Sequence, residues 1–209
     1  MFAQTTYTNI RWALGLLALL TTTACAQPGA QTRTAAAAAA GDPVARGLYI
    51  VNAGGCHDCH TPWKMGAQGP EPDMSRALSG HPETESLPAA PNLGQGPWIS
   101  AASATNTAFA GPWGISFAAN LTPDTNTGLG IWTEDMFVRA IRTGRHMGTS
   151  RPINPPMPWP AFRNFSDDDL HAIWSYLRSL KPLTNHVPDY LPPPTTTASA
   201  EGVAKDVRQ

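Results

Sequence analysis

The sequence feature that most constrains this chain is the motif GGCHDCH at residues 54–60. Cys56 and Cys59 stand three positions apart, and His60 follows the second cysteine directly. Three residues span nearly one turn of an α-helix, so a helical motif places both thiols on one side. Two such thiols with an adjoining imidazole suit three structures: a short disulfide, a zinc site or an anchor for a haem.

Two of these structures need partners that the sequence does not offer. A redox-active Cys-X-X-Cys disulfide belongs to a βαβ pattern, and none surrounds this motif. Structural zinc needs four nitrogen or sulfur ligands, and there is no second pair of cysteines. The histidines outside the motif also lack the paired spacing of zinc ligands; they are His81, His146, His171 and His186. The disulfide and the zinc site are therefore the weaker alternatives.

The haem interpretation gives the thiols and the final histidine a role each. Cys56 and Cys59 would add to the two vinyl groups on one porphyrin edge, and Nε2 of His60 would bind the iron. His57 is then a spacer. Because the motif occurs once, we expect one covalently attached haem c, with its iron, per chain.

The second axial ligand decides between an electron carrier and a haem enzyme, because an open coordination position permits oxygen or peroxide chemistry. Met157 is the best candidate among six methionines. It lies in the turn PPMPWP at residues 155–160, where prolines fix the backbone around a flexible thioether. Met74 and Met147 remain alternatives, as does a Met157 that only fills the core. We predict that His60 and Met157 bind the iron.

The first 26 residues have the pattern of an export signal. Arg11 precedes the apolar run WALGLLALL at residues 12–20, and small residues follow as far as Ala26. The run is much shorter than the ~20 residues that cross a bilayer as a helix. The chain is therefore expected to be exported to the periplasm. Two processing routes remain open: cleavage after Ala26, or lipidation of Cys25, which would anchor the chain to a membrane.

Composition indicates a domain with long loops between flexible ends. The chain has 21 prolines and 18 glycines among 209 residues, and its net charge of −1 gives no basic surface for nucleic acid. Residues 27–41 are predicted to be a flexible linker, and residues 64–114 a loop-rich insertion. Residues 184–209 are rich in proline and threonine and are predicted to be disordered.

Three helices are predicted from capping residues and apolar spacing. Their N-caps are Asp42, Thr133 and Ser166. From these caps the helices run to about residues 53, 144 and 182, where glycine or proline ends them. The inner face predicted for the first helix consists of Val44, Leu48 and Val51, with Tyr49 as a further candidate, and that for the last of Leu170, Ile173, Trp174, Leu177 and Leu180.

With CHDCH, a later Met-Pro-Trp and the final helix WSYLRSLKP, the chain resembles bacterial class I c-type cytochromes. It is most similar to the monohaem cytochrome subunits of periplasmic dehydrogenases, over residues 42–183. The resemblance implies an all-α cytochrome c fold, with three or more helices around one covalently bound haem and a long irregular insertion. It also implies that His60 and Met157 are the axial ligands.

The resemblance implies further contacts around the haem. The first helix would cross the last so that Gly47 and Tyr49 meet Trp174 and Leu177. A glycine–proline pair at residues 69–70 would match the pair whose carbonyl orients the proximal histidine.

A second stretch, GPWGISFAANLTPD at residues 111–124, resembles a loop of the dehydrogenase-associated group. Trp113 or Asn120 in this loop would contact a haem propionate. The chain departs from compact members of the family because 97 positions separate His60 from Met157.

The predicted function is one-electron transfer and not catalysis. The expected donor is a periplasmic dehydrogenase, and the expected acceptor is an oxidase or another cytochrome of a respiratory chain. The alternative function is a haem enzyme or small-ligand sensor in which Met157 leaves the iron and a small molecule takes its place.

Overall fold

The computed structural model describes residues 41–93 and 97–193. The predicted export signal, Cys25, nearly all of the predicted linker and the last 16 residues of the tail lie outside these ranges. Within them, no helix combines the length and the apolar character that crossing a bilayer requires.

Helices provide most of the regular structure in the described residues. The α-helices are α1 (Pro43–Ala53), α2 (Cys56–His60), α3 (Glu134–Thr143), α4 (Trp159–Phe162) and α5 (Asp167–Ser179). The strands are β1 (Trp63–Gly66), β2 (Gly69–Pro72), β3 (Ala101–Ala102), β4 (Ala108–Gly111) and β5 (Gly114–Phe117). Short 3-10 turns cover Met74–Arg76 and His146–Gly148.

The three predicted helices are present as α1, α3 and α5, and each begins at its predicted cap. The side chain of Asp42 accepts a hydrogen bond from the Val44 amide at 2.9 Å. Thr133 and Ser166 accept equivalent bonds, at 3.2 and 3.1 Å. These bonds satisfy amides that the first turn of a helix otherwise leaves without a partner.

Helix α1 crosses α5 at Gly47, where the two backbones come into contact. A Cβ atom at this position would lie 2.0 Å from the carbonyl oxygen of Ala172 and 2.7 Å from Cβ of Tyr176. The predicted crossing at Gly47 is therefore present, but its partners are these two residues. Tyr49 does not join it, since its side chain is 61% exposed.

The close approach at Gly47 also determines which face of α1 is buried. Ile50 and Val51 lie three and four residues further along the helix, on the same face as Gly47, and both are buried. Leu48 lies one position round the helix and is 42% exposed. The predicted inner face is thus correct for Val51 and wrong for Leu48 and for Val44, which is 36% exposed.

The insertion at residues 64–114 contains more regular structure than its sequence indicates. Strands β1 and β2 form an antiparallel hairpin, and β3, β4 and β5 form a three-stranded antiparallel sheet. These strands are only two to four residues long and include glycine and proline, so they leave no alternating apolar pattern in the sequence. The helical core therefore carries two small sheets.

The first part of the predicted tail is packed against the domain. Asn185 is 2% exposed and donates hydrogen bonds to the carbonyls of Ser79 and His81, at 2.7 and 2.8 Å. Leu191 exchanges two backbone hydrogen bonds with Ile115, at 2.8 and 3.0 Å. The prediction of disorder from residue 184 is thus wrong as far as residue 193. Polar and backbone contacts hold this segment, and composition does not reveal them.

The crossing of α1 and α5 gives a first prediction. Gly47→Ala should destabilise the protein by about 2 kcal/mol, because the added methyl group would overlap a backbone carbonyl that cannot move aside. The comparison of thermal unfolding should include Asn52→Ala, an exposed change in the same helix that is expected to leave stability nearly unchanged. A Gly47→Ala protein as stable as the parent would contradict the described crossing.

Candidate haem site

The CHDCH motif forms its own short helix, α2, directly after α1. Gly55 separates the two helices with a φ of 70°, a conformation that side chains other than glycine rarely adopt. Cys56 and Cys59 are unbridged and half-buried, and Cys56 packs against the main apolar core. The two thiols therefore lie about one helical turn apart on one helix, as the haem interpretation requires.

The environment of these thiols differs from that of a redox-active pair. Burial raises the pKa of Cys56 to about 11 and also raises the pKa of Cys59. Both thiols are therefore protonated near neutral pH, whereas thiol–disulfide exchange needs a thiolate. In the two described ranges, no three side chains of the types His, Cys, Asp and Glu converge as a metal site. The arrangement favours neither the disulfide nor the zinc alternative.

His60, at the end of α2, is oriented by one hydrogen bond. Its side chain is buried, and its Nδ1 donates to the backbone carbonyl of Ala119 at 2.8 Å. Desolvation lowers the pKa of His60, so the neutral imidazole is favoured. With the proton on Nδ1, the lone pair of Nε2 is available to a metal ion, which is the usual arrangement of a metal-binding histidine.

The carbonyl that orients His60 is not the one suggested by the resemblance. Residues 69–70 lie in β2, where Gly69 pairs with Gly66 of β1. The carbonyl that orients the His60 ring belongs instead to Ala119, after β5. A backbone acceptor leaves no residue signature, and the only sequence signal was that position 119 falls in the quoted loop at residues 111–124.

A second chain segment keeps Ala119 beside His60. The amide of Gly80 donates to the carbonyl of His60 at 2.8 Å, and the amide of His81 donates to that of Ala118 at 2.9 Å. Gly80 has a φ of 78°, and a Cβ there would lie 2.5 Å from the Ala118 carbonyl oxygen. Only glycine fits this contact, so Gly80 fixes the distance between the two segments.

The two residues predicted to contact a propionate form hydrogen bonds within the protein instead. The amide nitrogen of Asn120 donates to Thr127 and to the Leu183 carbonyl, and its oxygen accepts from the amide and hydroxyl of Thr122. The indole nitrogen of Trp113 donates to Ser116. Asn120, which is 3% exposed, thus joins three segments next to the carbonyl that orients His60.

His57, the predicted spacer, is also engaged within the protein. Its Nδ1 forms a hydrogen bond with the hydroxyl of Thr61 at 2.8 Å, and this hydroxyl accepts from the amide of Leu78. His57 therefore links α2 to the segment that carries Gly80.

Met157 lies half-buried against the same apolar core as Cys56. The loop around it leads into α4, whose first residue, Trp159, packs its ring on Gly144 at the end of α3. Of the alternative ligands, Met74 is 59% exposed, and Met147 lies in a 3-10 turn at a φ of 54°. Among the three, only Met157 is packed against the core that also holds the CHDCH helix.

Comparison with known proteins finds relatives among dehydrogenase cytochrome c subunits. No family model matches the chain. An alignment of 82 positions, which covers 37% of the chain, gives 38% identity to the cytochrome c subunit of the quinone-dependent alcohol dehydrogenase of Gluconobacter oxydans. The gluconate 2-dehydrogenase cytochrome c subunit of Pantoea cypripedii is 28% identical over 133 residues, 64% of the chain. The chain is a relative of dehydrogenase cytochrome c subunits.

The relationship extends along most of the sequence but covers only part of the relatives. The alcohol dehydrogenase cytochrome c subunit of Gluconacetobacter polyoxogenes aligns with 96% of the chain at 29% identity. The chain spans 38% of that protein, 22% of the Pantoea subunit and 17% of the Gluconobacter subunit.

The described residues fit the haem c that such a relationship implies. The donor set consists of two half-buried thiols on one helix and a buried imidazole whose Nδ1 is already bonded to a carbonyl. Thiols are the groups that add to porphyrin vinyls, and an imidazole Nε2 is the usual proximal ligand of haem iron.

The position of Asn120 gives a second prediction. Asn120→Ala should cost about 2 kcal/mol of unfolding free energy, because it leaves the Thr122 amide without its partner and removes the shorter of the two hydrogen bonds to the Leu183 carbonyl. Urea denaturation followed by circular dichroism measures this loss. The matched control is Asn126→Ala, at an exposed position of the same loop, which should change stability by less than about 0.5 kcal/mol. Equal effects of the two substitutions would show that Asn120 does not hold the loop.

Proposed function

We propose that this chain is a one-electron carrier with the cytochrome c fold and a single covalently attached haem c. The observation that carries the proposal is the geometry of α2, where two half-buried thiols and a carbonyl-bonded His60 lie on one short helix. The relationship to dehydrogenase cytochrome c subunits supports the same function. The chain would catalyse no reaction of its own.

Each of the four proposed site residues has a distinct task. Cys56 and Cys59 would hold the group through thioether bonds, so that it is not lost by dissociation. His60 would be the proximal ligand, held by Ala119, and Met157 would be the second axial ligand, held between two prolines. When bound, haem c supplies a couple between ferric and ferrous iron. Because both axial ligands stay in place, the protein changes little between the two states, which suits electron transfer.

The proposed donor is a dehydrogenase, and the acceptor is an oxidase or another cytochrome, in the periplasm. Several large apolar side chains of the insertion are exposed, which supports a role in docking. They are Met65 (77% exposed), Met74 (59%), Trp98 (76%) and Ile99 (68%). Contacts between redox partners are usually small and transient, so a few exposed apolar side chains are sufficient. Cys25 would attach the chain to a membrane if it is lipidated.

A test of the proposed ligand is the substitution Met157→Ala in the haem-loaded protein. It should lower the midpoint potential and let carbon monoxide bind the reduced protein, because the thioether no longer fills the sixth position. The matched control is Met74→Ala, at an exposed methionine, which should leave both properties unchanged. An unaltered spectrum of Met157→Ala would show that the ligand lies elsewhere. Rapid and complete carbon monoxide binding by the unsubstituted protein would favour the sensor or enzyme alternative.

A further inference from the structure

The loop that carries Met157 is attached to strand β5 by a buried hydroxyl group. Ser116, on β5, is 9% exposed, and its Oγ donates a hydrogen bond to the carbonyl of Pro155 at 2.5 Å. Pro155 lies two residues before Met157. On the other side of Met157, Trp159 packs on Gly144. The backbone around the proposed ligand is therefore held two residues before it and two residues after it.

The direction of the Ser116 hydroxyl is determined by its neighbours. The indole nitrogen of Trp113 donates to Ser116 Oγ at 3.2 Å, so this oxygen already accepts one bond. The single proton of the hydroxyl can then go to the Pro155 carbonyl at 2.5 Å or to the Phe109 carbonyl at 3.4 Å. The shorter contact is the stronger hydrogen bond. Two consecutive hydrogen bonds therefore connect Trp113 through Ser116 to the Pro155 carbonyl in the Met157 loop.

The same short segment also reaches the other side of the proposed site. Ala119, three residues after Ser116, accepts the hydrogen bond of His60. The strand that carries Ser116 is fixed on both edges, by pairing of Ile115 with Ala110 of β4 and with Leu191. Residues 116–119 therefore connect the support of the proximal histidine to the support of Met157.

We propose that Ser116 is a positioning residue that keeps Met157 on the iron by holding the Pro155 carbonyl. The inference rests on the proposed function, in which Met157 is an axial ligand. It gives the three-stranded sheet, which extends from the insertion to Phe117, a task within the site, because the sheet holds the loop of the second ligand. Loss of the hydroxyl frees the loop to move away more readily, so that an added ligand competes better for the iron.

The test is imidazole binding to the ferric, haem-loaded protein, measured for Ser116→Ala. The apparent affinity for imidazole should rise about fivefold, the effect of losing one typical hydrogen bond that opposes displacement of Met157. The far-red absorption band of methionine-ligated ferric haem should weaken as well. Ser116→Thr, which keeps the hydroxyl, should have the imidazole affinity and the far-red band of the parent protein. Ser100→Ala, at an exposed serine that leads into the same sheet, is the matched control and should change neither.

The result that overturns the proposal is a Ser116→Ala protein with the parent's imidazole affinity and far-red band. If that protein does not fold, Trp113→Phe removes the donor that directs the hydroxyl and should raise the imidazole affinity in the same direction. An affinity unchanged from the parent's in Trp113→Phe would overturn the proposal in that case.

A double substitution separates this proposal from the ligand assignment. In the Met157→Ala protein, adding Ser116→Ala should leave imidazole binding unchanged, since no methionine competes there. An equal increase in both backgrounds would show that Ser116 acts by another route. Met157→Ala alone tests whether Met157 is the axial ligand. A wrong ligand assignment and a wrong role for Ser116 therefore give different results.

Discussion

The hydrogen bond from Nδ1 of His60 to the carbonyl of Ala119 is the contact on which the rest of this structure depends. It determines which ring nitrogen carries the proton, and it holds the ring in one orientation inside a buried environment. In such surroundings an unpaired polar atom is costly, so the bond both stabilises the fold and prepares Nε2 as a ligand. The contact also connects the CHDCH helix to the residues that follow β5.

Hydrogen bonds of buried polar groups also hold the insertion and the residues that follow it. His81 is fully buried and bonds to the hydroxyl of Thr107 at 2.9 Å. Asn120 and Asn185 join the insertion to the segment after α5 through backbone carbonyls. These groups bring short strands, a turn and the beginning of the tail to the two sides of the proposed site. Ser116 extends the same network to the loop of Met157.

The parts of the structure that sequence predicts are those set by local chemistry. A capping side chain followed by apolar residues at helical spacing identifies α1, α3 and α5, because one or two residues are enough to mark the start of each helix. The three-residue spacing of the two cysteines in CHDCH likewise suits the short helix α2 that the motif forms. The exposure of Leu48 and Tyr49 was not predictable in this way, since the tight contact at Gly47 with α5 decides which face turns inward.

The remaining features depend on partners far apart in the chain. A backbone carbonyl such as that of Ala119 has the same chemistry at every position, so only the folded structure shows which one His60 uses. The strands of the insertion are too short for a period to emerge, and the segment around Asn185 is held by polar contacts in a sequence whose composition indicates disorder. The resemblance to a cytochrome family implied the pair of axial ligands, which stays a prediction, and it placed the orienting carbonyl in the wrong segment.

The central claim is that two thioether bonds attach a haem to Cys56 and Cys59. Its most direct test is the intact mass, under denaturing conditions, of the mature protein produced together with the machinery for haem attachment. The account predicts a mass equal to the polypeptide plus one haem, because a covalent link survives denaturation. A mass equal to the polypeptide alone, with pigment that separates from it in acidic acetone, would contradict the account.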